Sequence, residues 1–256
     1  IEGRGTIALE VLEELPDADI ILVPIGGGGL ISGIASAAKL KNPLIKIIGV
    51  EPEGAASALE ARKSHHVVEL DEANTIADGT AVKKIGDITF DYIEKYVDDI
   101  VTVSDYELMA AFLVLVEKHK IVAENSGILA VAGLKKLNVT GKKIISIISG
   151  GNIDVLTISS MINKGLVARG RIFTFAVDLP DKPGQLVAVS QILSEQNANV
   201  IRLEHNQFKN LDRFHEVELQ VTVETNGEEH INKITQEFEK KGYIIRRLNA
   251  QAMIDD

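Results

Sequence analysis

The chain has 256 residues, 45% of them hydrophobic, a formal charge of -10 and no cysteine. That length and apolar content suffice for one large packed domain or two ordinary ones, while the acidic balance argues against non-specific nucleic-acid binding. No apolar run reaches the roughly eighteen residues a membrane helix needs, and the lack of cysteine removes disulfides, thiol nucleophiles and iron–sulfur ligands; with no secretory signal, a cytoplasmic location is expected.

In chain order, residues 6–15 read as the middle of a helix, so the sequence opens as a fragment would. Ile1-Glu2-Gly3-Arg4 also spells a protease site common in expression vectors. The apolar run 20–25 suits a central parallel strand, and 30–40 a helix of small residues, with 46–50 a second strand closing a β-α-β unit. Between the first strand and its helix stand four consecutive glycines, Gly26, Gly27, Gly28 and Gly29. Without Cβ atoms such a turn can expose several N–H groups to one anion, and the positive end of the following helix adds to the attraction. A phosphorylated cofactor is therefore expected, against the alternative of a tight turn that merely packs helix on sheet.

Residues 98–103 read as strand, and Ser104 with Glu107 forms a capping box for a helix running to 118, with Leu108, Phe112, Leu115 and Val116 facing inward. A helix over 126–137 precedes a strand at 143–148, which stops at Ser149-Gly150-Gly151-Asn152. Two glycine-rich loops thus follow two strands. In open α/β sheets ligands bind where loops leave the carboxyl ends of strands, so these loops are expected to share one ligand.

The pattern changes near 165–170. A strand at 171–178, the turn Pro180-Asp181-Lys182-Pro183-Gly184, a helix with Leu186, Val189 and Leu193 on one face, strands at 199–204 and 217–223, a helix carrying Ile231, Ile234 and Phe238, and a strand at 243–248 give β-α-β-β-α-β, the ferredoxin-like order. Val217, Leu219, Val221 and Val223 alternate with polar neighbours, so one face is buried. Helices would cover one side only, leaving an open face or edge for pairing; a homo-oligomer is expected.

A dinucleotide fits poorly. Glu51 ends the second strand where a ribose-binding acid would lie, but G-x-G-x-x-G is never met: the third position is Ser32 or Ile31. A P-loop is excluded, because no Gly-Lys-Ser/Thr follows the glycines.

The run Pro24-Ile25-Gly26-Gly27-Gly28-Gly29-Leu30-Ile31-Ser32-Gly33, with Ile48-Gly49-Val50-Glu51-Pro52, Thr75-Ile76-Ala77-Asp78-Gly79 and Ile147-Ile148-Ser149-Gly150-Gly151-Asn152-Ile153-Asp154, resembles the threonine dehydratases, or threonine ammonia-lyases. These are pyridoxal-phosphate lyases of the tryptophan-synthase-β type. The likeness spans 1 to about 165 of this sequence, and Gly3-Arg4-Gly5-Thr6 falls where that family carries a Gly-Gln-Gly-Thr-like segment, so the protease-like site reads as native. Residues 170–250 resemble an ACT domain, an amino-acid-sensing module. The implied architecture is α/β: part of a fold-type-II parallel-sheet domain over 1–168, then a ferredoxin-like ACT domain over 169–256.

The resemblance implies pyridoxal 5′-phosphate as cofactor, its phosphate held by backbone donors of Gly26, Gly27, Gly28, Gly29 and Leu30. Ser149 would face the pyridine nitrogen, where residues alone favour a cap on the next helix. Glu124, in Glu124-Asn125-Ser126-Gly127 where relatives often have Glu-Gly-Ala-Gly, is an expected active-site neighbour. The implied reaction eliminates water from L-threonine, or L-serine, giving from threonine 2-oxobutanoate and ammonia. The family's Schiff-base lysine and its serine-glycine-asparagine loop fall upstream of residue 1, so this polypeptide alone is not expected to catalyse it. For the second domain, Asp181, Gly184, Gln185, Leu186 and Asn199 match positions that hold a small amino acid between subunits, isoleucine or valine being the usual effectors; the alternative is that Pro183-Gly184 only starts a helix. No metal is expected: Glu51 resembles part of a cation site in related racemases, but Ser57 stands where an aspartate would help, and Glu51 and His65-His66 read as solvated surface groups. The competing functions are a stand-alone amino-acid-binding module and, less favoured, a nicotinamide-dependent dehydrogenase.

Overall fold

A computed structural model describes residues 1–206 and 216–248. They fall into two compact units that divide between Ile162 and Asn163. The expected second domain, 169–256, also takes in 207–215 and 249–256, which lie outside the described residues.

The first unit is built on a parallel sheet of β1 (Ile20–Pro24), β2 (Lys46–Pro52), β3 (Asp99–Val103) and β4 (Ile144–Ser146), in the order β3-β2-β1-β4. Every residue of β1 is buried, as a strand covered on both faces requires. Its alternate side chains feed two cores. Ile21 and Val23 join one cluster with α1 (Glu2–Glu14), α2 (Gly29–Lys41), α3 (Ser57–Ser64) and α4 (Asp87–Tyr96), and Ile20 and Leu22 join the other with α5 (Asp105–Val114) and α6 (Leu129–Gly133). A Cβ on Gly33 of α2 would lie 2.8 Å from the Cβ of Arg4 and 2.9 Å from the amide nitrogen of Gly5, so α1 and α2 meet almost backbone to backbone.

The capping box of α5 is present: Glu107 donates its amide to Ser104 Oγ at 3.3 Å and accepts the Ser104 amide at 2.8 Å. The helix widens to π-helical turns over Leu115–His119. Two expected elements come out shorter. The helix expected at 126–137 is a 3-10 turn, Asn125–Ile128, then the five residues of α6 and a second 3-10 turn, Leu134–Lys136. Close backbone approaches explain the break: a Cβ on Gly127 would overlap the carbonyl of Ser149, and one on Gly133 would lie 2.8 Å from Val50 Cγ2. The strand expected at 143–148 pairs only over β4, because after Ile147 the chain leaves the sheet and the Ser149 amide donates to the Gly127 carbonyl at 3.1 Å. Helices α3 and α4 had no counterpart in the sequence reading, and α7 (Val155–Ala168) is the helix expected after Ser149, there given no bounds.

The second unit holds β5 (Ile172–Pro180), α8 (Gln185–Glu195), β6 (Asn199–Asn206), β7 (Glu216–Glu224), α9 (Glu228–Lys240) and β8 (Ile245–Arg247). Its strands pair antiparallel in the order β6-β7-β5-β8. Val217, Leu219, Val221 and Val223 are buried with Phe173, Phe175, Val177 and Leu179 under α8 and α9. Leu186 departs from expectation. It shares the stripe of Val189 and Leu193 but is 47% exposed, and Ile192 fills the core instead; periodicity names a face without saying how far the sheet beneath it reaches. The sheet's other side carries polar pairs, Thr174 Oγ1 with Thr222 Oγ1 at 3.1 Å and Arg246 with Glu218 at 2.7 Å.

Candidate functional site

The strand order reverses at β1: β2 and β3 extend to one side and β4 lies on the other. A crevice therefore opens at the carboxyl ends of β1 and β4, the position where doubly wound sheets take ligands. The two glycine-rich loops both emerge there.

Beyond β1 the chain turns through Gly26 and Gly27 to Gly28, the N-cap of α2, in the left-handed region at φ 85°. The Ser32 amide makes the first bond of that helix, to the Gly28 carbonyl at 3.0 Å. The amides of Gly29, Leu30 and Ile31 thus have no acceptor within the helix, at the positive end of its dipole. Added Cβ atoms on Gly27 or Gly29 would meet nothing within 4 Å, so the cradle is open at both. Thr89 of α4 braces it from behind, its hydroxyl within 2.8 Å of the carbonyls of Gly27 and Gly86.

The loop after β4 interlocks with 124–127. The Glu124 amide donates to the Gly150 carbonyl at 3.3 Å, and the Gly127 amide to the Glu124 carbonyl at 2.9 Å. Gly150, at φ 78°, leaves the space that the Glu124 carboxylate fills. Ser149 does not cap the following helix. Asp154 does, accepting the amides of Leu156 at 2.9 Å and Thr157 at 3.0 Å, and these bonds, led by that from the Thr157 hydroxyl, hold its carboxyl below the usual range.

The third wall is the 3-10 turn Asp78–Thr80. Asp105, in the first turn of α5, accepts from Thr75 Oγ1 at 2.7 Å and from the Ile76 amide at 3.2 Å, while Asn125 Nδ2 donates to the Ile76 carbonyl at 2.8 Å.

Together these loops bound a cleft of about 430 Å³ that Gly26, Gly27, Gly28, Gly29, Leu30, Glu124 and Ser149 all line. Every residue proposed for the first domain from sequence meets in this one place. Gly79, Thr80, Ser126 and Arg4 line it too; the first, third and last fell within motifs of the resemblance, but none of the four was proposed for the site. The Asp78-Gly79 dipeptide is a turn signal, and a Cβ on Gly79 would lie 2.9 Å from Ser126 Oγ, but nothing local says which loop that turn abuts.

Glu51 is a correction. It is fully buried rather than solvated, and it accepts the amides of Ala58 at 2.8 Å and Leu59 at 2.9 Å, capping α3 from β2. Burial pushes its carboxyl up to about 7, against the pull of the two amides. Spent on a helix end, it is not placed to meet a ribose. His65 and His66 are exposed, His65 closing α3 at φ 57°.

In the second unit, Gly184 is the N-cap of α8 at φ 95° and Gln185 Oε1 accepts from the Tyr243 hydroxyl at 3.3 Å. The structure does not bring the expected effector residues together within one copy. Asp181, Gly184, Gln185 and Leu186 follow the end of β5, whereas Asn199 pairs with Glu224, which pairs in turn with Ile172 at the start of β5. The length of β5, roughly 25 Å, separates them. Asn199 Nδ2 donates to Glu224 at 3.1 Å beside a cleft of about 250 Å³ that Arg171 and Asn226 also line.

Residues 1–150 match the family model described as pyridoxal-phosphate dependent enzyme. The chain is 42% identical to an L-threonine ammonia-lyase of Thermotoga maritima over 96% of its own length and 62% of the relative's. It is 41% identical to an L-threonine ammonia-lyase of Geobacter sulfurreducens over 95% of its length and 61% of the relative's. It thus spans about three-fifths of the length of these curated relatives. Among solved structures, the processed form of threonine deaminase isoform 2 from Solanum lycopersicum superposes with a TM-score of 0.60 at 35% identity, over 63% of this chain and 48% of that one.

Proposed function

The chain belongs to the pyridoxal-phosphate dependent enzymes, and from that premise we propose that its first unit is the cofactor-phosphate side of an L-threonine ammonia-lyase and its second an ACT-like regulatory module. One observation carries the first part: the open glycine cradle and the Ser149 loop converge on one cleft at the sheet's switch point.

The residues fit the cofactor. The amides of Gly29, Leu30 and Ile31 and the vacant Cβ positions of Gly27 and Gly29 suit a dianionic phosphate. When bound, pyridoxal phosphate supplies an electron sink for charge developing at the substrate's α-carbon. The Ser149 hydroxyl, a neutral partner for the ring nitrogen, need not keep it protonated, and a milder sink suits elimination of water over transamination. Thr89 holds the Gly27 carbonyl at the rear, so the cradle is set before any ligand enters. Glu124, seated against Gly150, puts a carboxylate at the Ser149 wall.

Among the described residues, none that lines the cleft is a lysine. Elimination therefore needs a lysine from elsewhere, and this polypeptide alone does not convert L-threonine or L-serine. Borohydride reduction after incubation with pyridoxal phosphate, followed by peptide mass mapping, tests this: a specific pyridoxyl-lysine within 1–256 would overturn it. The lyase assignment requires saturable binding of pyridoxal phosphate by the chain, and 2-oxobutanoate release from L-threonine once the lysine-bearing segment is joined to it.

The module assignment is supported by the β-α-β-β-α-β order, by the turn at Gly184, and by the separation of Asp181, Gly184, Gln185 and Leu186 from Asn199, which suits an amino acid held between two copies. Isoleucine or valine would then favour one subunit arrangement over another in a homo-oligomer. Calorimetric titration tests it. Saturable heat with either amino acid and none with pyridoxal phosphate would instead favour a stand-alone binding module.

A further inference from the structure

Arg4 is an exposed residue of α1. Among the described residues its guanidinium makes no ion pair and no hydrogen bond. Its place is nonetheless fixed. Gly33 lets α1 approach α2 so closely that Arg4 Cβ lies 2.8 Å from where a Gly33 Cβ would be. This seats Arg4 on the cleft wall beside the glycine turn. Arg4 and the N-terminus of α2 therefore line one cleft, while the carboxylate that lines it, Glu124, packs against Gly150 on the Ser149 side. A cation beside the N-terminus of α2 stands where positive charge is disfavoured, and such breaks of a local preference are expected where an anionic ligand restores the balance.

We propose that Arg4 is a phosphate ligand, closing the glycine cradle from the α1 side and giving the cofactor's dianionic phosphoryl group the full positive charge that peptide dipoles supply only in part. The inference rests on the pyridoxal-phosphate assignment above. Guanidinium is suited to this, since its planar fork matches two phosphoryl oxygens at once.

The test compares the wild-type chain with R4Q and R4K in titrations against pyridoxal phosphate, inorganic phosphate and pyridoxal. R4Q should weaken both phosphorylated probes by about tenfold at low salt. R4K should recover part of that loss, pyridoxal should bind R4Q and wild type alike, and the gap should shrink as salt rises from roughly 50 to 500 mM. Circular dichroism and thermal melting keep the comparison to folded protein. If R4Q binds pyridoxal phosphate as tightly as wild type at low salt, the inference about Arg4 falls while the cofactor assignment stands. If the wild-type chain binds neither phosphorylated probe, both fall.

Discussion

Replacing two adjacent glycines of the cradle should separate folding from binding. A Cβ on Gly28 would lie 2.8 Å from both the Cβ and Oγ1 of Thr89 and 3.2 Å from Ile93 Cδ1, at a φ of +85°. The left-handed backbone costs an L-residue about 1–2 kcal/mol, and forcing a methyl against a packed neighbour about as much again. Thr89 can yield only by giving up its bonds to the carbonyls of Gly27 and Gly86. Gly28→Ala is therefore expected to cost about 3 kcal/mol and to lower the melting temperature by roughly 10 °C for a unit of this size. Gly29 differs: it is the first residue of α2 and nothing lies within 4 Å of its added Cβ. Alanine there is a better helix former by up to about 1 kcal/mol, so Gly29→Ala should melt at or above the wild-type temperature. Yet its methyl occupies the space a phosphate needs, and affinity for pyridoxal phosphate should drop by at least about tenfold. Thermal melts followed by circular dichroism, paired with cofactor titrations of each variant, measure both. Wild-type affinity in Gly29→Ala would show that the cradle is not the phosphate site, and a wild-type melt for Gly28→Ala would refute the packing argument.

Glu51 predicts a pH dependence. Its folded value of about 7 lies above the ordinary 4.5, so the protonated form is the one the fold favours; that stability is complete below about 4.5 and lost as pH rises through about 7. The loss amounts to about 3 kcal/mol, and denaturant titrations at pH 5 and pH 8 should show it in wild type but not in Glu51→Gln; equal pH slopes for the two proteins would rule it out. Thr89→Val removes the brace on the Gly27 carbonyl, and is expected to cost about 1 kcal/mol of stability while weakening pyridoxal phosphate a few-fold; unchanged affinity would show that the brace does not set the cradle. Gly127→Ala drives a methyl into the Ser149 carbonyl, so it should destabilise the first unit by about 3 kcal/mol and be visible as an early melt; a melt at the wild-type temperature would contradict the close approach.

What could be read from the sequence and what could not follow from where each signal is stored. The apolar run of β1 and the strict alternation of β7 are local, because a strand between two layers of helix has no solvated side and a strand with one covered face has a single one. The glycine cradle is also local, since freedom from Cβ belongs to the residue itself. Glu51 is the opposite case: the same carboxylate could be solvated, ribose-bound or capping, and only the placement of α3 seven residues on decides that it is buried. The turn at Gly79 is likewise brought to the cleft by Asp105 and Asn125, partners tens of residues away that hold Thr75 and Ile76. The helix expected at 126–137 failed for the same reason, its period intact while its glycines answered to Ser149 and Val50. Ser149 shows how the two kinds of information combine. The residues around it offered a helix cap, but Asp154 already serves that end, and a hydroxyl relieved of local duty on a loop whose backbone is pinned to Gly127 is free to address whatever enters the cleft.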